Sequence, residues 1–227
     1  EPGAEYLHND TGYVVLGLAL EGATNRTAAQ LFEKYVFEPL GMNASSLPST
    51  SPADGRLNGL RSIDVDGEVS CADTVDLTTF SPSAGYTAGG VVSDVNDIGR
   101  YVQALALGLR SYDTEERFDG AIAAARSGAE WYQTAGGALF AGSLAGQFGT
   151  MPGYLTSAFA DRETGLTVVV VLNNSRASSA AARALSWQLA AIASKAPATE
   201  GQTAPSAGYP WTEAEMAEGV EGAAICE

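Results

Sequence analysis

At about Trp131 the spacing of apolar residues changes from helical to alternating, which restricts the chain to a mixed architecture. Before that point, Val14, Val15, Leu18 and Leu20 follow an Asn9-Asp10-Thr11 cluster suited to starting a helix, so Thr11 to Ala23 reads as a buried helix. A second helix is expected from Thr27 through Leu31, Phe32, Tyr35 and Val36, stopped by Pro39 and Gly41. The stretch from Asn43 to Ser83 is rich in Ser, Pro, Asp and Gly and reads as a surface excursion with one hairpin near Ile63 to Val69. A third helix is expected after Ser93 as its cap, with acidic residues in the first turn and Tyr101, Val102, Leu105 and Leu109 at helical intervals. Asp113 to Arg126 reads as a further helix or an irregular linker.

After Trp131, segments near Trp131 to Phe140, Ser143 to Phe148, Tyr154 to Asp161 and Leu166 to Leu172 are separated by Gly-Gly, Pro-Gly and Glu-Thr-Gly turns, the pattern of an antiparallel meander. The run Leu166 to Leu172 is apolar except for Thr167, continuous enough to be a central strand covered on both faces. An alanine-rich helix carrying Leu185, Trp187, Leu189 and Ile192 is expected to pack on this sheet. Beyond Lys195 the composition becomes that of a loosely held extension to Glu227, tied down by Tyr209, Trp211 or Cys226. The fold class is therefore α+β, an antiparallel sheet flanked by helices plus a helical lobe. The lobe occupies about residues 1–128, the sheet and final helix about 129–195, and an extended tail 196–227.

With 45% hydrophobic and 17% charged residues the chain can bury a sizeable core. Its 27 acidic residues against 12 basic ones, net −15, repel phosphate backbones and anionic lipid heads, so neither nucleic acid nor membrane is an expected partner. No apolar run reaches the roughly 18 residues of a membrane helix. His8 is the single histidine and the cysteines lack metal-site spacing, so no metal or other cofactor is expected. Cys71 and Cys226 could close a long loop in an oxidising compartment or be two separate thiols, and their spacing leaves both open.

Five blocks in order carry a family resemblance over about residues 1–195. Pro2-Gly3-Ala4-Glu5-Tyr6-Leu7-His8-Asn9-Asp10-Thr11-Gly12-Tyr13 is similar to P-G-x-x-F-x-Y-S-N-T-x-Y, and Phe37 to Met42 to F-x-P-L-G-M. Ala88 to Ser93 with Asp97 resembles A-G-G-L-x-S-x-x-D, and Gly146 to Tyr154 resembles G-H-x-G-x-x-P-G-Y, followed by paired strands and a final helix. Together they resemble the penicillin-recognising serine hydrolases: D-alanyl-D-alanine carboxypeptidases, class C beta-lactamases and related esterases. The resemblance implies an acyl-enzyme mechanism on a small-molecule or peptide substrate and, weakly, an extracellular or cell-envelope location. It implies a serine in an S-x-x-K helix, a Y-x-N element that shuttles protons, and a strand that supplies an oxyanion-hole N–H.

Three departures stand out. Leu31 and Ile192 lie three residues before the two lysines, Lys34 and Lys195, so no S-x-x-K is present. Because the chain opens on Glu1 in mid-motif, the nucleophile helix and the N-terminal strands are expected upstream, or on a complementing N-terminal fragment; without them, self-association is expected. The Y-x-N position carries His8-Asn9-Asp10, read either as an imidazole base held by a carboxylate or as residues that merely cap the first helix. The strand motif reads Gln147-Phe148-Gly149-Thr150: Gln147 brings no charge, Phe148 would intrude on substrate, and Gly149 and Thr150 retain the oxyanion role, the alternative being an ordinary edge strand. Tyr6 and Tyr13 fall on apolar anchor positions and are expected in the core. The alternative function is a catalytically inactive homologue that binds a peptidoglycan-type peptide or a protein.

Overall fold

A computed structural model describes residues 6–51, 55–124, 130–197 and 209–225. Helix α1 (Asp10–Thr24) starts where the Asn9 side chain accepts the Gly12 N–H and ends on Asn25 in the left-handed region. It is not buried as expected: Val14, Gly17 and Glu21 turn toward the body, and only Gly17 is fully covered. Thr87 packs so closely on Gly17 that any side chain there would collide with it.

The second helical stretch begins as α2 (Ala28–Phe32), with a Thr27/Gln30 capping box. It widens into a π-helical turn over Glu33–Phe37 and closes as α3 (Glu38–Leu40) before Gly41 at φ 66°. Pro39 therefore does not stop the helix as expected. Having no N–H to return to the preceding turn, it is accommodated by the widened turn, and the left-handed Gly41 makes the stop. The expected hairpin is β1 (Leu60–Val65) with β2 (Glu68–Asp76), turned through Asp66 and Gly67, both at positive φ. Cys71 on β2 is disulfide-bonded, and Cys226 lies outside the described residues.

A short helix α4 (Tyr86–Gly89) precedes α5 (Val95–Leu107). Asp94 rather than Ser93 caps α5, accepting the Asp97 N–H at 2.8 Å, while the Ser93 hydroxyl pairs with that of Ser45 at 2.7 Å. The described part of the next stretch, residues 113–124, contributes a 3-10 turn at Glu115–Phe118 and a two-residue strand, β3 (Ile122–Ala123), the irregular alternative of the two expected.

The sheet runs antiparallel in chain order: β3, β4 (Tyr132–Ala135), β5 (Ala138–Ala141), β6 (Leu144–Met151), β7 (Tyr154–Asp161) and β8 (Thr167–Leu172). The Trp131 to Phe140 segment is thus two strands, because Gly136 and Gly137 supply the two positive φ values of a tight hairpin. Helix α5 covers one face over Ala138, Phe140, Ala145, Ala158 and Ala160. Helix α6 (Ser179–Ala193) covers the other over Leu139, Leu144, Leu155 and Phe159. Strand β8 is covered on both faces as expected, yet among the described residues it lies at the sheet's edge, not its centre. Apolar residues on both faces report cover above and below the sheet and say nothing about neighbours within it.

Trp187 of α6 packs into the core, while Leu189 and Ile192, expected to do the same, remain exposed. Past the expected limit of the sheet region, Trp211 stacks on Trp187 with ring centres 4.6 Å apart and donates Nε1–H to the Trp187 carbonyl at 3.2 Å. This seats α7 (Glu213–Glu221), started by a Thr212/Glu215 capping box, on α6. Among the described residues no helix is long and apolar enough to cross a membrane.

Candidate active site

The start of α1 carries the first motif. Asn9 is the cap, which frees the flanking residues from that task. His8 Nε2 lies 3.1 Å from Asp10 Oδ1, and the Tyr6 hydroxyl lies 3.4 Å from His8 Nδ1, so both ring nitrogens face a polar partner in an exposed position. A carboxylate only accepts, so in neutral His8 the proton sits on Nε2, leaving Nδ1 as the acceptor toward the Tyr6 phenol. Burial, followed by the neighbouring Tyr13, Tyr132 and Asp10, holds the Tyr6 phenol above the usual tyrosine range, so it remains a donor at neutral pH. Tyr6 is half-buried and Tyr13 exposed; neither is the core anchor expected.

Strand β6 carries the other motif, and its register fixes where each residue points. Phe148 pairs with Ser157, whose hydroxyl meets Ser186 of α6 at 2.7 Å, so the Phe148 ring lies on the α6 face, 5.0 Å beneath the Arg183 guanidinium. It does not intrude on the opposite face as expected. Thr150 pairs with Leu155, also in the α6 core, so its side chain shares that face. Gln147 pairs with Ala158 of the α5 core, which places Gln147, Gly149 and Met151 on the face toward the helical lobe. Nothing stands within 4 Å of the position a Gly149 side chain would take.

Strand β5 accompanies β6 only as far as Gly146. Past that point the Phe148 N–H, directed away from β7, is taken by the Gln147 side-chain oxygen at 3.0 Å, and the Gln147 amide donates to the Gly137 carbonyl at 3.1 Å. Gln147 thus bridges the gap where β5 has ended. Because backbone groups alternate along a strand, the Thr150 N–H faces the same open edge as that of Phe148.

The two motifs meet through Gly137. A side chain there would stand 2.8 Å from the Tyr13 hydroxyl of α1, and the Gly137 carbonyl is the one held by Gln147. Helix α4 closes the other end: the Thr87 hydroxyl donates to the Tyr13 carbonyl at 2.7 Å, and Gly89 lies beside the Met151 sulfur. Tyr13 in the first turn of α1, Thr87 and Gly89 of α4, and Gln147 and Met151 of β6 are therefore neighbours around Gly137 and the end of β6. The sequence reading missed Tyr6 as a partner of His8 and Gly137 as the hinge of the site, having assigned the first to the core and the second to a turn. The Gly136-Gly137 pair was the available signal for the second, since two adjacent left-handed residues make a tight turn past which β6 is left unpaired.

The beta-lactamase family model matches residues 1–192. Among solved structures, the chain is similar to a D-stereospecific amidohydrolase from Streptomyces sp. at 20% identity and TM-score 0.65, over 78% of this chain and 53% of that one. It is similar to the octameric penicillin-binding protein homologue from Pyrococcus abyssi at 20% identity and TM-score 0.67, over 85% of this chain and 43% of that one. It is also similar to D-amino acid amidase from Ochrobactrum anthropi SV3 at 25% identity and TM-score 0.58, over 77% of this chain and 51% of that one. The chain spans about half the length of these structures. Five motif blocks in family order, a sheet sandwiched between α5 and α6, and a family match over most of its length establish that this chain belongs to the beta-lactamase family.

Proposed function

We propose that this chain forms the proton-transfer and oxyanion half of an acyl-transfer site whose serine lies outside it, acting on an ester or a D-amino acid amide-type or peptide substrate. The observation that carries the reading is the junction at Gly137, where Tyr13 from α1 and Gln147 from β6 converge. In the proposed step the serine hydroxyl attacks the substrate carbonyl and gives its proton to the Tyr6 oxygen, as the Tyr6 proton passes to His8 Nδ1. Asp10 stabilises the resulting imidazolium through Nε2–H, and the Thr150 N–H supports the developing oxyanion. On collapse the imidazolium returns its proton through Tyr6 to the leaving group. The disulfide at Cys71 fits the extracellular or cell-envelope location expected from the family resemblance.

The test uses the full-length gene product with p-nitrophenyl acetate, nitrocefin and a D-amino acid anilide, alongside labelling by a serine-reactive phosphonate. Turnover with labelling is expected, and His8→Ala should lower kcat by about 10²–10⁴-fold. Absence of labelling, together with an inert His8→Ala change, refutes catalysis.

One observation favours a second reading, a non-catalytic binder. Gln147 spends both ends of its amide within the fold and offers no charge to a substrate carboxylate. Calorimetric binding of a D-alanyl-D-alanine peptide without turnover would support this reading over the first.

A further inference from the structure

The face of β6 turned toward the helical lobe has a notch in it. Gln147, Gly149 and Met151 share that face, and the outer two stand roughly 13 Å apart along the strand at about 3.3 Å per residue. Gly149 between them contributes no side chain, and among the described residues nothing stands within 4 Å of the place one would occupy. Both walls are held by the fold. Gln147 accepts the Phe148 N–H and donates to the Gly137 carbonyl, so its amide has one N–H left to offer. Met151 is packed against α4, its sulfur 3.3 Å from where a Gly89 side chain would stand. A neutral amide therefore bounds the notch on one side and a thioether on the other.

We infer that this notch seats an uncharged end of the substrate, a terminal amide or ester, and discriminates against a free carboxylate. The inference deepens the proposed function by naming the substrate class, and rests on that reading for the reaction. A carboxylate lodged over Gly149 would give up water while the walls of the notch offer no cation in exchange. The guanidinium packed on this end of β6, that of Arg183, lies on the opposite face, 5.0 Å from the ring centres of both Phe148 and Trp187. Arg61, Arg100, Arg117, Arg162 and Arg176 donate to carbonyls or carboxylates of the fold itself. At the start of α1 the acidic residue is Asp10, already paired with His8, and the chain carries net −15, so its field opposes an approaching anion. A terminal amide meets no such penalty: its carbonyl can take the spare Gln147 N–H, and its remaining surface can lie on the Met151 thioether.

The test compares two peptides that differ only at that end, acetyl-D-alanyl-D-alanine and its C-terminal amide, on the full-length gene product, with phosphonate labelling run alongside. The readout is kcat/KM or, in a protein that does not turn over, calorimetric affinity. The amide should be preferred by at least about tenfold. Met151→Lys, which places a cation at one wall without touching the Gln147 bridge, should raise the constant for the free acid at least about fivefold. Equal constants for the two peptides, a preference for the acid, or binding of neither would overturn the inference. So would an M151K protein, shown folded by circular dichroism, in which the acid gains nothing. Preference for the amide without labelling would retain the neutral notch and refute the acyl-transfer reading; labelling without that preference would do the reverse.

Discussion

Replacing Trp211 with alanine tests whether the segment after α6 is part of the folded unit. Trp211 is 7% exposed, lies between the rings of Trp187 and Tyr209 at 4.6 and 5.2 Å, and donates to the Trp187 carbonyl at 3.2 Å. Burying an indole removes about 150–250 Å² from water, worth about 4–6 kcal/mol at 25 cal/mol per Å², and Trp→Ala changes in cores cost about 3–5 kcal/mol. The other anchors are weaker: an exposed Lys195–Glu213 pair at 2.7 Å, in a class worth about 0–1 kcal/mol, and a long Tyr209–Asp161 contact at 3.3 Å. Trp211 therefore dominates the docking of residues 209–225. The loss has an upper bound, because the segment can detach while α6 stays on the sheet, so the measured change equals the docking free energy and not the full truncation cost. With a urea slope of about 1–3 kcal/mol/M, the unfolding midpoint should fall by at most about 1–5 M. Two other readouts should move together: the near-UV dichroism of the stacked indoles should collapse, and trypsin should cut at Lys195. W211F, which keeps an apolar ring, should lose less than half as much. A W211A protein with unchanged dichroism and a midpoint within about 0.3 M of the parent would refute the clamp.

The same clamp should open in alkali. Burial, then the Asp161 charge, raises the Tyr209 phenol, so its contribution is fully present below the ordinary tyrosine value of about 10 and is lost as pH rises toward the folded value; tryptophan fluorescence should change there, and Y209F should remove that transition. Asp161 runs the other way. Burial alone would raise it, but hydrogen bonds from Ser143, Thr164 and Glu163 outweigh that and lower it, so its contribution is present above about pH 4 and lost as pH falls through the folded value; an acid titration of D161N should lack that loss. Gly137→Ala places a side chain at φ 85° and 2.8 Å from the Tyr13 hydroxyl, which should cost about 1–2 kcal/mol, or about 2–8 °C in a thermal melt, and shift the Tyr13 ring resonances. Gln147→Ala leaves the Phe148 N–H and the Gly137 carbonyl to solvent; hydrogen exchange at Phe148 should accelerate with a stability loss below about 1.5 kcal/mol, and an unchanged rate would disprove the bridge.

What was legible in the sequence was what rests on local periodicity. The meander shows because strand alternation and glycine turns recur at short range, and the Asp66-Gly67 hairpin because its turn requires two residues tolerant of positive φ. Facing and edge position were not legible. The direction of Phe148 depends on its register with Ser157, and the edge position of β8 depends on what lies beside it in the sheet. Neither property is written in the strand's own residues. Cap assignment failed by one residue at α5, where Ser93 and Asp94 are equally good caps by type and only the tie between Ser45 and Ser93 selects Asp94.

The His8 reading turns on the same limit. From sequence, His8 and Asp10 could cap α1 or act on a proton, and residue type cannot separate these tasks because both call for a short polar side chain at a helix start. In the structure Asn9 accepts the Gly12 N–H as the cap, and the residues on either side of it contact each other and Tyr6. Physical identity at a motif position is thus a weaker guide than the division of tasks among neighbours. In the proposed function, Tyr6, two residues before His8, takes the place of the phenol that the motif position has lost, with the His8 imidazole and the Asp10 carboxylate behind it. If that division holds, Tyr6→Phe and His8→Ala should impair the full-length protein to similar extents and together no more than singly, because each breaks the same relay. Fully additive losses would show that the two side chains work apart.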